Sequence, residues 1–185
     1  SYFAELINNG AEIDYQPPNG QTALTIAIIN NNPELAGLLF ERGASLENYK
    51  QKKTHPLYRT VMRRDVPFTK LFLEAGENPD QVFSKDNNSS YLHFAAKDSY
   101  FDILRLLLKH GANPNRADDN GDTPLHLAAL SKYPDEGGWC VEALLEAGAD
   151  INAKNLARDT ALDFARSGDI KYIQDLLNEA AEKKK

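Results

Sequence analysis

Four histidines, one cysteine and one cluster of basic residues are the side chains of this 185-residue chain whose chemistry could reach beyond packing. His55, His93, His110 and His126 invite a metal-site reading, and such a site needs three or four converging ligands. His93 and His126, however, sit at equivalent places in two near-identical phrases, SYLHFAA and TPLHLAA. Repetition explains them better than ligation, so no metal is expected. Cys140 has no base beside it in sequence and reads as a buried packing residue; standing alone, it also excludes an internal disulfide framework. No glycine-rich phosphate loop, nucleophile elbow or paired-carboxylate motif is present, so the chain is expected to be no enzyme and to hold no cofactor.

The basic cluster comprises Lys50, Lys52 and Lys53, then Arg59, Arg63 and Arg64, in a chain of formal charge −6. Such a patch suits an acidic partner segment or a phosphate, against the alternative of a solvated charged face. A pI near 5.2 argues against a general nucleic-acid or anionic-membrane binder. Direct nucleic-acid binding through the patch would require affinity falling steeply with salt. No apolar run approaches the roughly 20 residues that span a bilayer. The opening SYFAELINNG lacks a basic head followed by an apolar run, so no signal peptide is visible. With the single cysteine, this points to an intracellular chain, cytoplasmic or nuclear.

What must position these residues is a repeat. LINNGAEID, LLFERGASLE, LFLEAGENPD, LLLKHGANPN and LLEAGADIN recur, with Gly10, Gly43, Gly76, Gly111 and Gly148 spaced by 33, 33, 35 and 37 residues. A second phrase keeps phase: TALTIA from Thr22, HPLYRTV from His55, SYLHFAA from Ser90, TPLHLAA from Thr123 and TALDFA from Thr160. Thr22, Ser90, Thr123 and Thr160 read as helix N-caps, and Pro56 and Pro124 as first helical residues. Ala27, Ala95, Ala96, Ala128, Ala129 and Ala165 thin the first helices, whereas Phe101, Ile103, Leu104, Leu107 and Leu108 thicken a second helix that ends at a glycine. Asn19-Gly20 and Asn120-Gly121 mark tight hairpin tips between units; Lys53 and Arg158 replace the glycine at two joints, and Asn88 lies in a loop two residues longer.

Thr123 to Ala129, followed by Leu144 to Asp150, resembles the ankyrin-repeat signature, and the resemblance covers nearly the whole chain. It implies an all-α fold, an ankyrin-repeat α-solenoid of helix-turn-helix units joined by hairpin-like loops. It also implies that the histidine of the phrase is structural, and that a protein partner binds the concave face of finger tips and first helices. One domain over 1–185 is expected: a partial repeat at 1–19, repeats near 20–52, 53–87, 88–120 and 121–157, and a cap at 158–185. The chain opens inside a second helix and reads as a piece of something longer.

Contact candidates are the positions that vary over this framework: Pro18, Gln21, Ile29 and Asn30; Gln51, Lys52, Lys53, Thr54, Met62 and Arg63; Lys97 and Asp98; Asp119, Asp122, Leu130 and Ser131; Asp159 and Ser167. Residues 131–139 lengthen one inter-helix turn by four, adding Tyr133 and Trp139 as candidates, with a tolerated surface loop as the alternative. Asn152 resembles an asparagine hydroxylated in some ankyrin repeats, although bonding its own backbone in the turn explains it better. The expected function is a monomeric, non-catalytic module holding a protein partner; the alternative is a recruiting segment of a larger enzyme or a host-directed bacterial effector acting in host cytosol.

Overall fold

The computed structural model describes residues 12–16, 18, 21–46, 56–83 and 86–183. Its helices are α1 (Ala23–Ile29), α2 (Pro33–Glu41), α3 (Pro56–Met62), α4 (Val66–Glu74), α5 (Tyr91–Lys97), α6 (Phe101–Lys109), α7 (Pro124–Ala128), α8 (Pro134–Glu146), α9 (Ala161–Ser167) and α10 (Lys171–Lys183). None is long and apolar enough to cross a membrane. A two-residue antiparallel ladder, β1 (Val82–Phe83) with β2 (Ser89–Ser90), closes the longer loop, pairing Val82 with Ser90 and Phe83 with Ser89.

The chain forms two compact units, residues 1–60 with 67–77, and residues 61–66 with 78–185. In the first, α1 packs on α2 around buried Leu24, Ala27, Ala36 and Leu39. Thr22 caps α1 by accepting the Thr25 N–H at 3.2 Å, and Asn32 caps α2 by accepting that of Leu35 at 2.9 Å. Phe40 meets Phe72 edge-on at 6.1 Å, a geometry that adds about 1 kcal/mol to burial.

In the second unit α5, α7 and α9 form one layer and α6, α8 and α10 another. The first layer is thin because Ala95, Ala96, Ala128, Ala161 and Ala165 are buried in it; Leu104, Leu107, Val141, Leu144, Ile173 and Leu177 fill the second. Gly43, Gly76, Gly111 and Gly148 each hold a φ near +90° just past a second helix, where an L side chain is strained. The opposite turn, from first helix to second, takes its left-handed residue from ordinary side chains: Asn31, Arg64, Ser99 and Asp169, with φ of 52–55°.

The unit with the insertion departs from expectation. Its four extra residues do not lengthen the turn; they wind onto the front of α8, which has 13 residues against 9 in α2, α4 and α6. Pro134 at the helix start and Asp135 and Glu136 in its first turn favour that winding. The junction is locked by Ser131, whose hydroxyl contacts that of Ser99 at 2.5 Å and exchanges bonds with the Tyr133 carbonyl and N–H at 3.0 Å.

Candidate partner-binding surface

Each finger of the second unit is built by its own turn and tied to the next. Asp118 accepts the N–H groups of Asn120 and Asp122 at 2.8 and 3.0 Å, closing one tip, while Gly121 holds a φ of +78°. Arg158 supplies the left-handed residue at the following tip, at +68°, which a glycine would take without strain. Between fingers, Asp119 donates its N–H to the Asn87 carbonyl at 2.9 Å, and Leu156 donates to Asn120 at 2.9 Å. Asn88 and Asn155 add side-chain bonds to Asp119 and Asp122, both 2.8 Å.

The histidines complete the lacing. In His93 and His126 the Nδ1 atom accepts the N–H of the capping residue, Ser90 or Thr123, at 3.0 and 3.1 Å. That fixes the proton on Nε2, which donates to the carbonyl of Asp122 or Asp159 on the next finger, each at 3.0 Å. Burial holds the His93 pKa below its ordinary value, against the opposing pull of its bond to Asp122 and the charge of Asp118. The last unit has Asp163 in the histidine's place; the backbone and hydroxyl of Thr160 donate to its carboxylate and hold its pKa low.

Where fingers meet helices, a groove of about 340 Å³ is lined by Asp86, Asn87, Lys97, Asp118, Asn120 and Leu127 among others. Lys97, Asp98, Asp119 and Leu130 lie exposed at the fingers and the ends of α5 and α7. Arg63 is exposed and Met62 half-buried. Two candidates are placed otherwise than expected. Asp122 is only 8% exposed and accepts from Asn155, and Ser131 is buried in the α7–α8 junction, so both serve the fold. Tyr133 and Trp139 are exposed, but Trp139 sits on the second-helix layer against Phe101, with ring centres 5.8 Å apart. The Trp139 position therefore belongs to a different surface from the finger set.

In the first unit Ile29 and Asn30 are exposed at the end of α1, Pro18 is exposed and Gln21 half-buried. Lys52 and Lys53, with Lys50, Gln51, Thr54 and His55, lie outside the described residues. Sequence reasoning missed Leu156, the most exposed large apolar side chain among the described residues at 79%, and Ile26 at 42%. The signal for Leu156 was an apolar residue inside a turn phrase that is polar elsewhere. Asn152 is exposed, and its N–H donates to Asp150 at 2.9 Å. Cys140 is buried, which pushes its thiol pKa up to about 12 and away from nucleophilic chemistry.

In the second unit, helix pairs stacked in two layers, with laced hairpins along one edge, define a tandem helical repeat. Family models for ankyrin repeats match residues 57–155, more than half the chain, and residues 2–40, and the chain belongs to the ankyrin-repeat family. It is similar to an ankyrin repeat protein of Rickettsia felis, 34% identical over 121 residues, 63% of this chain and 52% of the relative. It is also similar to the E3 ubiquitin-protein ligase KEG of Arabidopsis thaliana, 28% identical over 74% of this chain and 8% of the relative. The chain thus spans about half or less of these relatives. An ankyrin repeat domain from Acinetobacter baumannii AYE has the same fold, with a TM-score of 0.75 and 24% identity, covering 97% of this chain and 91% of that one. Ankyrin repeats are generally non-catalytic protein–protein interaction modules.

Proposed function

We propose that this chain holds a protein partner across its finger tips and first helices, as a monomeric scaffold without turnover. One observation carries the reading: Leu156 stands 79% exposed at the tip of a finger whose backbone is bonded to its neighbour. An apolar side chain on a rigid support, facing water, is an anchor in search of a pocket. The groove beside Lys97 and the exposed Leu130 extend that anchor along the same layer. Loss of little conformational freedom on docking favours such a prebuilt surface.

The test places a photo-crosslinking amino acid at position 156 in one sample and at position 109, on the exposed side of α6, in another. A cell extract is irradiated with each, and adducts are identified by mass spectrometry. A partner captured from 156, absent from 109, and lost when Lys97→Glu and Leu130→Glu are introduced supports the finger site. Capture at 109 alone, or capture at 156 indifferent to both substitutions, overturns it. A second reading, a recruiting segment of a larger enzyme, is favoured by similarity to 8% of the length of an E3 ligase. Adducts that are ubiquitylated only by the longer protein favour that reading.

A further inference from the structure

The second-helix layer carries a pattern that the finger reading does not use. On α8, Trp139, Glu142 and Glu146 fall at i, i+3 and i+7, one stripe of the helix; on α10, Tyr172, Asp175 and Glu179 repeat it. Each member of the second stripe lies 33 residues after its counterpart, one repeat on, and all six are exposed. The stripes are neighbours, because α8 packs on α10. The two helices meet at Gly138, beside Trp139, where an added Cβ would fall 2.4 Å from the Tyr172 ring.

This stripe is no consequence of the repeat. Counted back from the closing glycine, the same positions are Asp102, Arg105 and Lys109 on α6, where the charge is mainly basic. On α4 they are Pro67, Lys70 and Glu74, where Lys70 pairs with Glu74 at 3.7 Å. Glu142 and Glu146 on α8, and Asp175 and Glu179 on α10, are instead alike in sign at i, i+4, with Lys171 and Lys183 one turn before and after the α10 pair. None of the four carboxylates has an ion-pair partner among the described residues. Trp139 and Tyr172, 47% and 46% exposed, add aromatic surface at the head of both stripes.

We infer that the outer face of α8 and α10 is a second docking surface, whose occupant is a basic amphipathic helix of a partner protein. The aromatic heads accept its apolar side, and the two carboxylate rows accept Lys or Arg from its flanks. The seven steps from Trp139 to Glu146 span about 10 Å, the reach of two turns of such a helix. Charge complementarity selects this occupant over an acidic or neutral one. The surface is independent of the fingers, so a scaffold with both could hold two proteins at once.

Trp139 is the only tryptophan in the chain, so its emission reports on this face alone. The probe is a tryptophan-free Lys/Leu amphipathic helical peptide of about 18 residues, titrated into the full chain. Controls are the same peptide with Glu for Lys, and a scrambled one. Saturable change in Trp139 emission with the basic amphipathic peptide alone is expected, weakened about tenfold or more by Glu142→Lys with Asp175→Lys. Glu146→Lys with Glu179→Lys should act alike, whereas finger substitutions Asp86→Lys with Asp159→Lys should change affinity by less than about twofold. Circular dichroism checks that each variant folds. No emission change, equal response to a control peptide, or wild-type affinity in both stripe variants overturns the inference.

Discussion

The Nε2 atom of His93 lies 3.0 Å from the carbonyl oxygen of Asp122, 29 residues further along the chain. One imidazole thereby caps its own helix and holds the next finger. Because burial keeps the His93 pKa below its ordinary 6.5, the unfolded chain takes up a proton before the folded one does. Stability from this group is complete above about pH 6.5 and falls as the pH drops below it. Urea midpoints of the wild type should therefore hold steady from about pH 8 to 6.5 and decline towards pH 5, and His93→Gln should flatten that decline. His93→Ala, which orphans the Ser90 N–H and the Asp122 carbonyl, should cost about 2–3 kcal/mol at neutral pH.

Gly121 and Gly111 should respond differently to alanine. Both have positive φ, +78° and +87°. A Cβ at Gly111 meets nothing within 4 Å, whereas one at Gly121 would lie 2.9 Å from the Leu156 backbone nitrogen. Gly111→Ala should cost only the left-handed strain, about 1–2 kcal/mol. Gly121→Ala should cost more, as the neighbouring finger must shift; thermal melts of the pair measure the difference.

The adjacent glycines of α8 should also part company. Gly137 faces Ser131, whose Cβ would be 2.4 Å away, anchored to the α7–α8 junction. Gly138 faces the far edge of the half-exposed Tyr172 ring, which can swing aside, and the methyl end of Leu176 at 3.3 Å, which needs to give only slightly. Gly137→Ala should destabilise, despite alanine's helix preference of about 1 kcal/mol, and Gly138→Ala should be neutral or stabilising. Chemical denaturation of both variants reads this directly.

Cys140, fully buried with its thiol raised to about 12, should resist iodoacetamide at pH 8 in the folded chain and label fully in denaturant. Intact-mass measurement of the labelled fraction against time is the check. Rapid labelling of folded protein would show that the layer of α8 opens readily.

The framework was legible because it is made of spacing. The phrases around Thr123 and Gly148, and the phase between them, determine helices, caps and left-handed closures, and these recur at Ser90 and Thr160. What spacing does not encode is a turn made by ordinary residues, so Asn31, Arg64, Ser99 and Asp169 carried no signal for their positive φ. The insertion was legible in length but not in form: a proline before two acids suits a loop as well as a helix start, and the buried Ser99–Ser131 contact decides between them. Exposure was harder still. Asp122 and Asp119 look alike in sequence, yet only Asp122 is buried, and it is Asn155 one repeat later that meets it.

The four added residues of α8 have a consequence for how such a chain tolerates change. Four residues make about 1.1 helical turns, so the incoming strand of chain reaches the lengthened helix only about 40° from where it would otherwise have entered. Two added residues would have brought it in on the far side, facing away from α7. Insertions at this junction should therefore survive in steps of a turn, and length variation among related chains should cluster at three, four or seven residues, leaving the order of everything downstream intact.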